Sequence, residues 1–541
     1  MQPPAYIVFF KNFFSRKDVS LICLILAIVI KILFTYYFQQ FDNDKLFQAM
    51  IGKSLTEGHG LTLKQVHVSN LSQDSYEAYI GWPPGYSVLF AIIYSLVRDL
   101  EVSCFIIDVI CVILYIIFLQ KLLRQLEFPG YLINLLLLFN GFAITTTTLN
   151  SYATDFLSLT LIVCSCYLFV QFFRQKRPAQ GILLGVVNLI IPWIRYMYIP
   201  MAFVIPAVLI WNGWFKKDRK FLVYGICTMV LALLSIIALL NFQALYVVTT
   251  EKGFFWSNLL YISPVLFSAF MDLEFFLMQL SHLTGLSYST CKNLLHWINI
   301  VPFLFLLAWL CYFSLKRKWL AISAWQLFMI IGSLIAICIF GVLAILSLTH
   351  SMYFPPPDND IVWTYVSEDR YYVFLHLFIV IIVARWLFMD PYPVSRLRKW
   401  AQGLFLFLFS ITIGHGVYFL VKNFTFDRRN FAHEAIQHRM IQFIANEIKE
   451  NKDTDVVVAG NNFIMIYYGV LLGGKGLYVR SELNEKEIHA DKPTKIIAVA
   501  KSAQLPFYSP FLKREGVKLE TQIGGFNFYS FYVQPNTGLQ N

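Results

Sequence analysis

Charged residues are scarce in this chain. Asp, Glu, Lys and Arg make up 14% of its 541 residues, where soluble proteins carry about a quarter, while 58% are hydrophobic and 17% aromatic. That shortage excludes a soluble fold. It also removes the basic surface a nucleic-acid binder needs, because the net charge of +11 lies largely in short loops between apolar runs, where Lys and Arg orient a membrane protein. Cysteines are present without organisation: Cys23, Cys104, Cys111, Cys164, Cys166, Cys227, Cys311 and Cys338 lie in apolar segments and Cys291 stands alone in a polar loop. Neither a disulfide framework nor a metal-spaced cluster follows. There is no repeat of fixed period and no low-complexity tract. The first apolar run begins at Ser20 behind Lys11, Arg16 and Lys17 and lacks a small-residue cleavage site, so it is expected to be an uncleaved anchor helix.

What the chain has is a series of apolar runs near the length that spans a bilayer. They fall at roughly 19–38, 103–120, 131–149, 156–173, 181–194, 197–212, 221–241, 297–315, 323–348, 371–389 and 402–421. Basic groups at Lys11/Arg16/Lys17, Lys121/Arg124, Arg174/Lys176/Arg177, Lys216/Lys217/Arg219/Lys220, Lys316/Arg317/Lys318 and Arg396/Arg398/Lys399 occupy alternate loops. If those loops are cytoplasmic, the amino terminus is inside and 39–102, 242–296, 349–370 and 422–541 are outside. The run from Pro83 to Val97 would break that parity as a full crossing, so it is expected to be a half-inserted or surface helix. The middles of most helices are bare of charge, with Asp108 the main exception. From about Phe424 the composition changes, and HEAIQHRMIQFIANEIKE precedes DVVVAG, TKIIAVA and NFYSFYV, the pattern of a small α/β domain. The expected architecture is an α-helical polytopic membrane protein of about eleven spans with outer juxtamembrane helices, occupying 1–423, followed by an extracytoplasmic α/β domain at 424–541.

The first outer segment opens FDNDKLFQAMIGKSLTEGHGL and continues to YIGWPPGYSVLFAIIYSL. Loops of this length are usually functional. Leu46, Phe47, Met50, Ile51 and Leu55 recur at helical spacing, so DKLFQAMIGKSL is expected to lie on the membrane surface with Asp44 at its start. A cap formed by Asp42 or Asp44 accounts for either acid alone, and the same holds for Asp155 in LNSYATDFLSL. Arg195 in PWIRYMYIP and Arg370 in SEDRYYVFLHLF stand at outer helix ends, against the inside bias, where guanidinium groups suit a phosphate. Arg370 has Glu368 and Asp369 beside it, whereas Arg195 has no acidic neighbour in sequence. His59 and His350 are isolated and pair in no metal spacing. The Gly-Gly pairs at 473–474 and 524–525 lack the context of a nucleotide site.

Taken in order, these segments resemble the GT-C superfamily of membrane glycosyltransferases, in the branch of protein O-mannosyltransferases, aminoarabinose transferases of lipid A and RgtA-like enzymes. Asp44 followed by Phe47 matches the acidic-x-x-aromatic pattern, GWPPGYSVLFAI is similar to the Pro-Pro surface helix, LNSYATDFLSL to the second acidic loop, and DRYYVF to the Arg-Tyr segment opening a late helix. The sequence departs at Lys45, where many members carry a second acid, and at Trp82, where some carry a basic residue. The resemblance implies an inverting transfer of a sugar from a polyprenyl-phosphate donor to a glycan, lipid or protein acceptor on the outer side of a bacterial inner membrane. Asp44 would be the general base. Asp155 would orient the acceptor, bind the donor sugar or hold a cation with Asp44; Arg195, Arg370 and Tyr371 would meet the donor phosphate; Asp42 and His59 are secondary candidates. No cofactor is required with certainty and a divalent cation is one option. A flippase of lipid-linked sugars, which would line its path with ionisable groups, and a lipid-linked oligosaccharide polymerase or ligase are the alternatives.

Overall fold

The computed structural model of the chain describes residues 12–37, 43–67, 69–78, 83–143, 153–244, 280–287, 290–291, 323–349, 373–389, 396–425, 432–460, 463–478, 488–501, 516–523 and 525–535. In chain order the elements are α1 (Lys17–Tyr37), α2 (Asn43–Thr56), β1 (Thr62–His67), β2 (Asn70–Ala78), α3 (Gly85–Val97), α4 (Leu100–Gln125), α5 (Gly130–Phe142), α6 (Ala153–Gln175), α7 (Pro178–Ile194), α8 (Met201–Phe215), α9 (Arg219–Ala244), α10 (Ala324–Thr349), α11 (Val373–Met389), α12 (Arg396–Thr425), α13 (Ala432–Glu450), β3 (Asp455–Gly460), α14 (Phe463–Leu471), β4 (Lys475–Tyr478), β5 (Thr494–Lys501), β6 (Lys518–Ile523) and β7 (Phe526–Val533). They form two compact units, one from Met1–Gln39 and Phe105–Leu420, the other from Gln40–Cys104 and Val421–Asn541.

The first unit is a helical membrane bundle. Among the described residues six helices are long and apolar enough to cross a bilayer, and shorter apolar helices accompany them. Every expected span falls on a described helix except 297–315, which lies outside the described residues. Helices are the answer to these runs because lipid offers no partner to a backbone amide or carbonyl. Large apolar side chains on α1 (Leu21, Ile22, Ile25) and α9 (Val230, Leu231, Leu234) stay exposed, as a lipid-facing surface does. Where helices meet, small residues let them approach: a Cβ on Gly141 of α5 would come within 2.8 Å of Ala27 Cα on α1.

One end of this bundle gathers the loops that the charge pattern groups together. Arg174 at the end of α6 pairs with Glu127 at 2.7 Å, Lys176 pairs with Asp218, and Arg385 of α11 donates to the Leu126 carbonyl with its guanidinium 4.5 Å from the Trp325 ring. Burial raises the Asp218 carboxyl and Lys176 with the Phe221 amide outweighs it, so the net shift is downward. The segments at 121–127, 174–177 and 216–220 thus share one end, as alternate loops of a bundle must.

The second unit is built on a five-stranded sheet of order β4-β3-β5-β7-β6, parallel at β4, β3 and β5 and antiparallel at β7 and β6. Alternation along a strand sends side chains to opposite faces. Val456, Val458, Ile497, Val499 and Phe528 pack with Met440 and Ile444 of α13 and Met465 of α14. Val457, Ala459, Ile496, Ala498 and Phe531 pack with Val66 of β1 and Leu71 of β2. The antiparallel hairpin β1–β2, from the first outer segment, therefore covers one face of the carboxyl-terminal sheet. Polar contacts lock it there: the Leu71 amide donates to the His489 carbonyl at 2.8 Å, Ser72 Oγ accepts from the amides of Asp491 and Lys492, and Lys475 Nζ bridges the Ser72 carbonyl and Asp455. The sequence boundary after residue 423 lies close to the second break between units, but residues 40–104 pack with the carboxyl-terminal part.

Helix α2 forms as expected and differs in its surroundings. Leu46, Phe47, Ala49, Met50 and Ile51 are buried, and so are Lys45, Gln48 and Ser54. Its apolar stripe meets protein instead of a membrane surface, because α3, the hairpin and α14 all pack on it.

Candidate functional site

In the membrane unit the sequence controls the corner between α7 and α8. Pro192 lacks an amide hydrogen and weakens the end of α7, and Arg195 then turns extended, at φ −153° and ψ 125°, before a 3-10 turn at Tyr196–Tyr198. Asn188 Nδ2 donates to the Ala202 carbonyl and Trp193 Nε1 to Ser235 Oγ, fixing the corner to α8 and α9. Asp155 lies in the first turn of α6. The two candidates meet: Arg195 Nη1 is 2.6 Å from Asp155 Oδ1, with 9% and 1% of the side chains exposed, and the same nitrogen donates to Thr154 Oγ1 at 2.9 Å. The acidic partner that Arg195 lacks among its sequence neighbours comes from a residue forty positions earlier.

Lys31 is a second intramembrane charge, one that the sequence reading passed over in favour of Asp108. It sits inside the run AIVIKILF of α1, is fully buried, and donates from Nζ to the Ala143 carbonyl at 2.9 Å. Ala143 ends α5, whose last carbonyls have no partner within the helix. The signal was plain in the sequence: a lone lysine in an otherwise apolar span is a functional-site candidate. Asp108 is buried in α4.

In the second unit Asp44 lies in the first turn of α2 and is half-buried, next to the buried run Lys45–Gly52. Three residues on, Phe47 faces Tyr467 of α14 edge-on at 5.9 Å between ring centroids. Residues three apart share a helix face. His59 is not brought to Asp44. It follows the far end of α2, about 18 Å along the axis at 1.5 Å per residue, and stacks on Tyr76 of β2 at 3.7 Å. Asp42, Arg370 and Tyr371 lie outside the described residues, as do Trp82 and His350.

Chemically, Asp44 is a half-buried acid, and Asp155 with Arg195 is a buried pair whose charges offset each other. Among the described residues no group of three or more His, Cys, Asp and Glu is placed to hold a metal ion, and Asp155 already faces a cation of the chain itself. A cavity of about 390 Å³ lined by Lys399, Trp400, Gly403, Leu404 and Phe407 of α12 contains none of the candidate residues.

Residues 82–240 match the family model described as dolichyl-phosphate-mannose-protein mannosyltransferase. The matched span includes Asp155 and Arg195 and leaves Asp44 and Arg370 outside. No curated protein is significantly similar. Among solved structures, the crystal structure of ArnT from Cupriavidus metallidurans bound to undecaprenyl phosphate aligns over 94% of this chain and 97% of that one, at 10% identity and a TM-score of 0.44.

Proposed function

We propose that this chain moves a sugar from a polyprenyl-phosphate donor to an acceptor hydroxyl at the outer face of a bacterial plasma membrane, because residues 82–240 match the family model described as dolichyl-phosphate-mannose-protein mannosyltransferase. The family match is the observation that carries the reading, since the donor named in that family is a polyprenyl-phosphate-linked sugar. A donor dissolved in the bilayer suits a chain whose bulk is a lipid-facing bundle, because burial of its tail contributes about 25 cal/mol per Å².

In this reading Asp44 takes the proton of the acceptor hydroxyl as that oxygen attacks the anomeric carbon. The bond from the anomeric carbon to the phosphate oxygen breaks with inversion, and the polyprenyl phosphate leaves with the electron pair. The leaving group is a weak base, so a strong general acid is unnecessary, and Arg195, Arg370 and Tyr371 would stabilise its charge. Asp155 would hold Arg195 in orientation. The acceptor is a glycan, lipid or protein, and the carboxyl-terminal unit lies on the periplasmic or extracellular side with the amino terminus in the cytoplasm.

The test is sugar transfer from a radiolabelled polyprenyl-phosphate donor pool by purified protein in lipid, comparing wild type, Asp44→Asn and Asp155→Asn. Loss of a general base lowers the rate by roughly 10²–10⁴-fold, so folded Asp44→Asn is expected to lose transfer on that scale. A rate equal to wild type in Asp44→Asn would remove Asp44 from the chemistry. Donor translocation without transfer by the wild type would move the assignment to a flippase.

A further inference from the structure

We propose that the carboxyl-terminal part of the chain is a positioning device for Asp44, acting through Tyr467, and that acceptor recognition is not its task. The proposal rests on the reading of Asp44 as the base.

Two separate grips fix the helix that bears Asp44. Phe47, one helical turn after Asp44, is 1% exposed and meets the ring of Tyr467, also 1% exposed, at 5.9 Å with the planes at 74°. Tyr467 belongs to α14, which packs on β3 and β4 and contributes Met465 to the core beneath the sheet. The second grip is the hairpin that follows α2, tied to residues 489–492 by the Leu71 and Ser72 bonds and by Asn70 Nδ2 to Asp491 at 2.8 Å. On the remaining side α3 holds α2 through Ser87 Oγ, which donates to Gln48 Oε1 at 2.6 Å, and through Gly52, where a Cβ would lie 2.6 Å from the Ser87 carbonyl oxygen.

A general base must stand within about 0.5 Å of its working position, and a displacement near 1 Å costs about 10²-fold in rate. Removing the Tyr467 ring opens space directly beside Phe47, so α2 gains room to move at the turn carrying Asp44. The contact with Phe47 is made by the ring of Tyr467, so a phenylalanine there keeps it.

The experiment compares steady-state transfer by full-length Tyr467→Ala, Tyr467→Phe and Phe528→Ala in lipid, with unfolding temperatures of each. Phe528 is fully buried in the core between the sheet and its helices and meets Phe443 edge-on at 5.1 Å between ring centroids, so its loss weakens the same unit elsewhere. The expected result is a fall of about tenfold or more in kcat for Tyr467→Ala with KM for donor and acceptor unchanged. Tyr467→Phe should restore the rate, and the folded fraction of Phe528→Ala should keep it. If either alanine variant fails to fold, Tyr467→Leu and Phe528→Leu are read by the same criteria. A change confined to the acceptor KM, or equal kcat losses at Tyr467 and Phe528, overturns the proposal. An inactive Asp44→Asn in the same assay shows that such a failure belongs to this inference alone; an active one shows that the assignment of the base has failed first.

Discussion

Replacing Asp155 by Asn removes a carboxylate whose oxygen lies 2.6 Å from Arg195 Nη1 where 1% of the aspartate side chain and 9% of the arginine side chain are exposed. At an effective dielectric constant of about 20, unit charges at that separation attract by about 6 kcal/mol. Desolvating the two ions offsets several kcal/mol of this for each, so the net worth of the pair is small, but a single partner left behind is an uncompensated buried charge and costs about 3–5 kcal/mol. Asp155→Asn and Arg195→Met are each expected to lower the unfolding temperature clearly, and Asp155→Leu with Arg195→Met to recover most of the loss. The assay is thermal unfolding in matched lipid or detergent, followed by tryptophan fluorescence, arranged as a double-mutant cycle. Strictly additive losses, or an unchanged unfolding temperature in either single variant, would refute the pairing. The same proteins separate strut from chemistry: a double variant that regains stability and still fails to transfer sugar assigns the pair a part in the reaction, and one that regains both assigns it a structural part only.

Two further outcomes can be measured. Gly52→Ala in α2 brings a Cβ to 2.6 Å from both Phe90 Cδ1 and the Ser87 carbonyl oxygen, and overpacking of this kind costs about 1–3 kcal/mol, so the variant should unfold earlier and transfer more slowly; an unaltered unfolding temperature would contradict the close approach of α2 and α3. Glu520 in β6 is held below the usual carboxylate range by Lys518 and Ser530. A lowered folded value means that its contribution is present above the unfolded pKa of about 4.3 and is lost as pH falls through the folded value. Glu520→Gln should therefore flatten the decline in unfolding temperature of the full chain below about pH 4, by a small margin because Lys518 is 73% exposed and exposed pairs contribute about 0–1 kcal/mol. A variant as acid-sensitive as wild type would count against that ion pair.

The bundle was readable because a bilayer admits few solutions for a long apolar run. The strands DVVVAG, TKIIAVA and NFYSFYV were readable from β-branched and aromatic runs. The hairpin was not, since TLKQVH and NLSQDSYEA are largely polar, with Leu63, Val66 and Leu71 their buried apolar residues. Nothing local in such strands shows that they will cover a sheet four hundred residues away. The meeting of Asp155 and Arg195 is of the same kind, set by the closing of the α7–α8 corner. Lys31 needed no structure to be noticed, only attention to a charge inside a span.

The unit formed by Gln40–Cys104 and Val421–Asn541 is interrupted by the whole of Phe105–Leu420. During biosynthesis, α2 and its hairpin emerge early while the sheet they join is still untranslated, and at about 5–20 residues per second the delay until β7 is made lasts roughly twenty seconds to a minute and a half. Val66 and Leu71 wait without their core through that interval, and strand β7, near the end of the message, completes it. A chain released early by the ribosome lacks the sheet that buries Val66 and Leu71, so premature termination leaves the hairpin β1–β2 exposed to proteases.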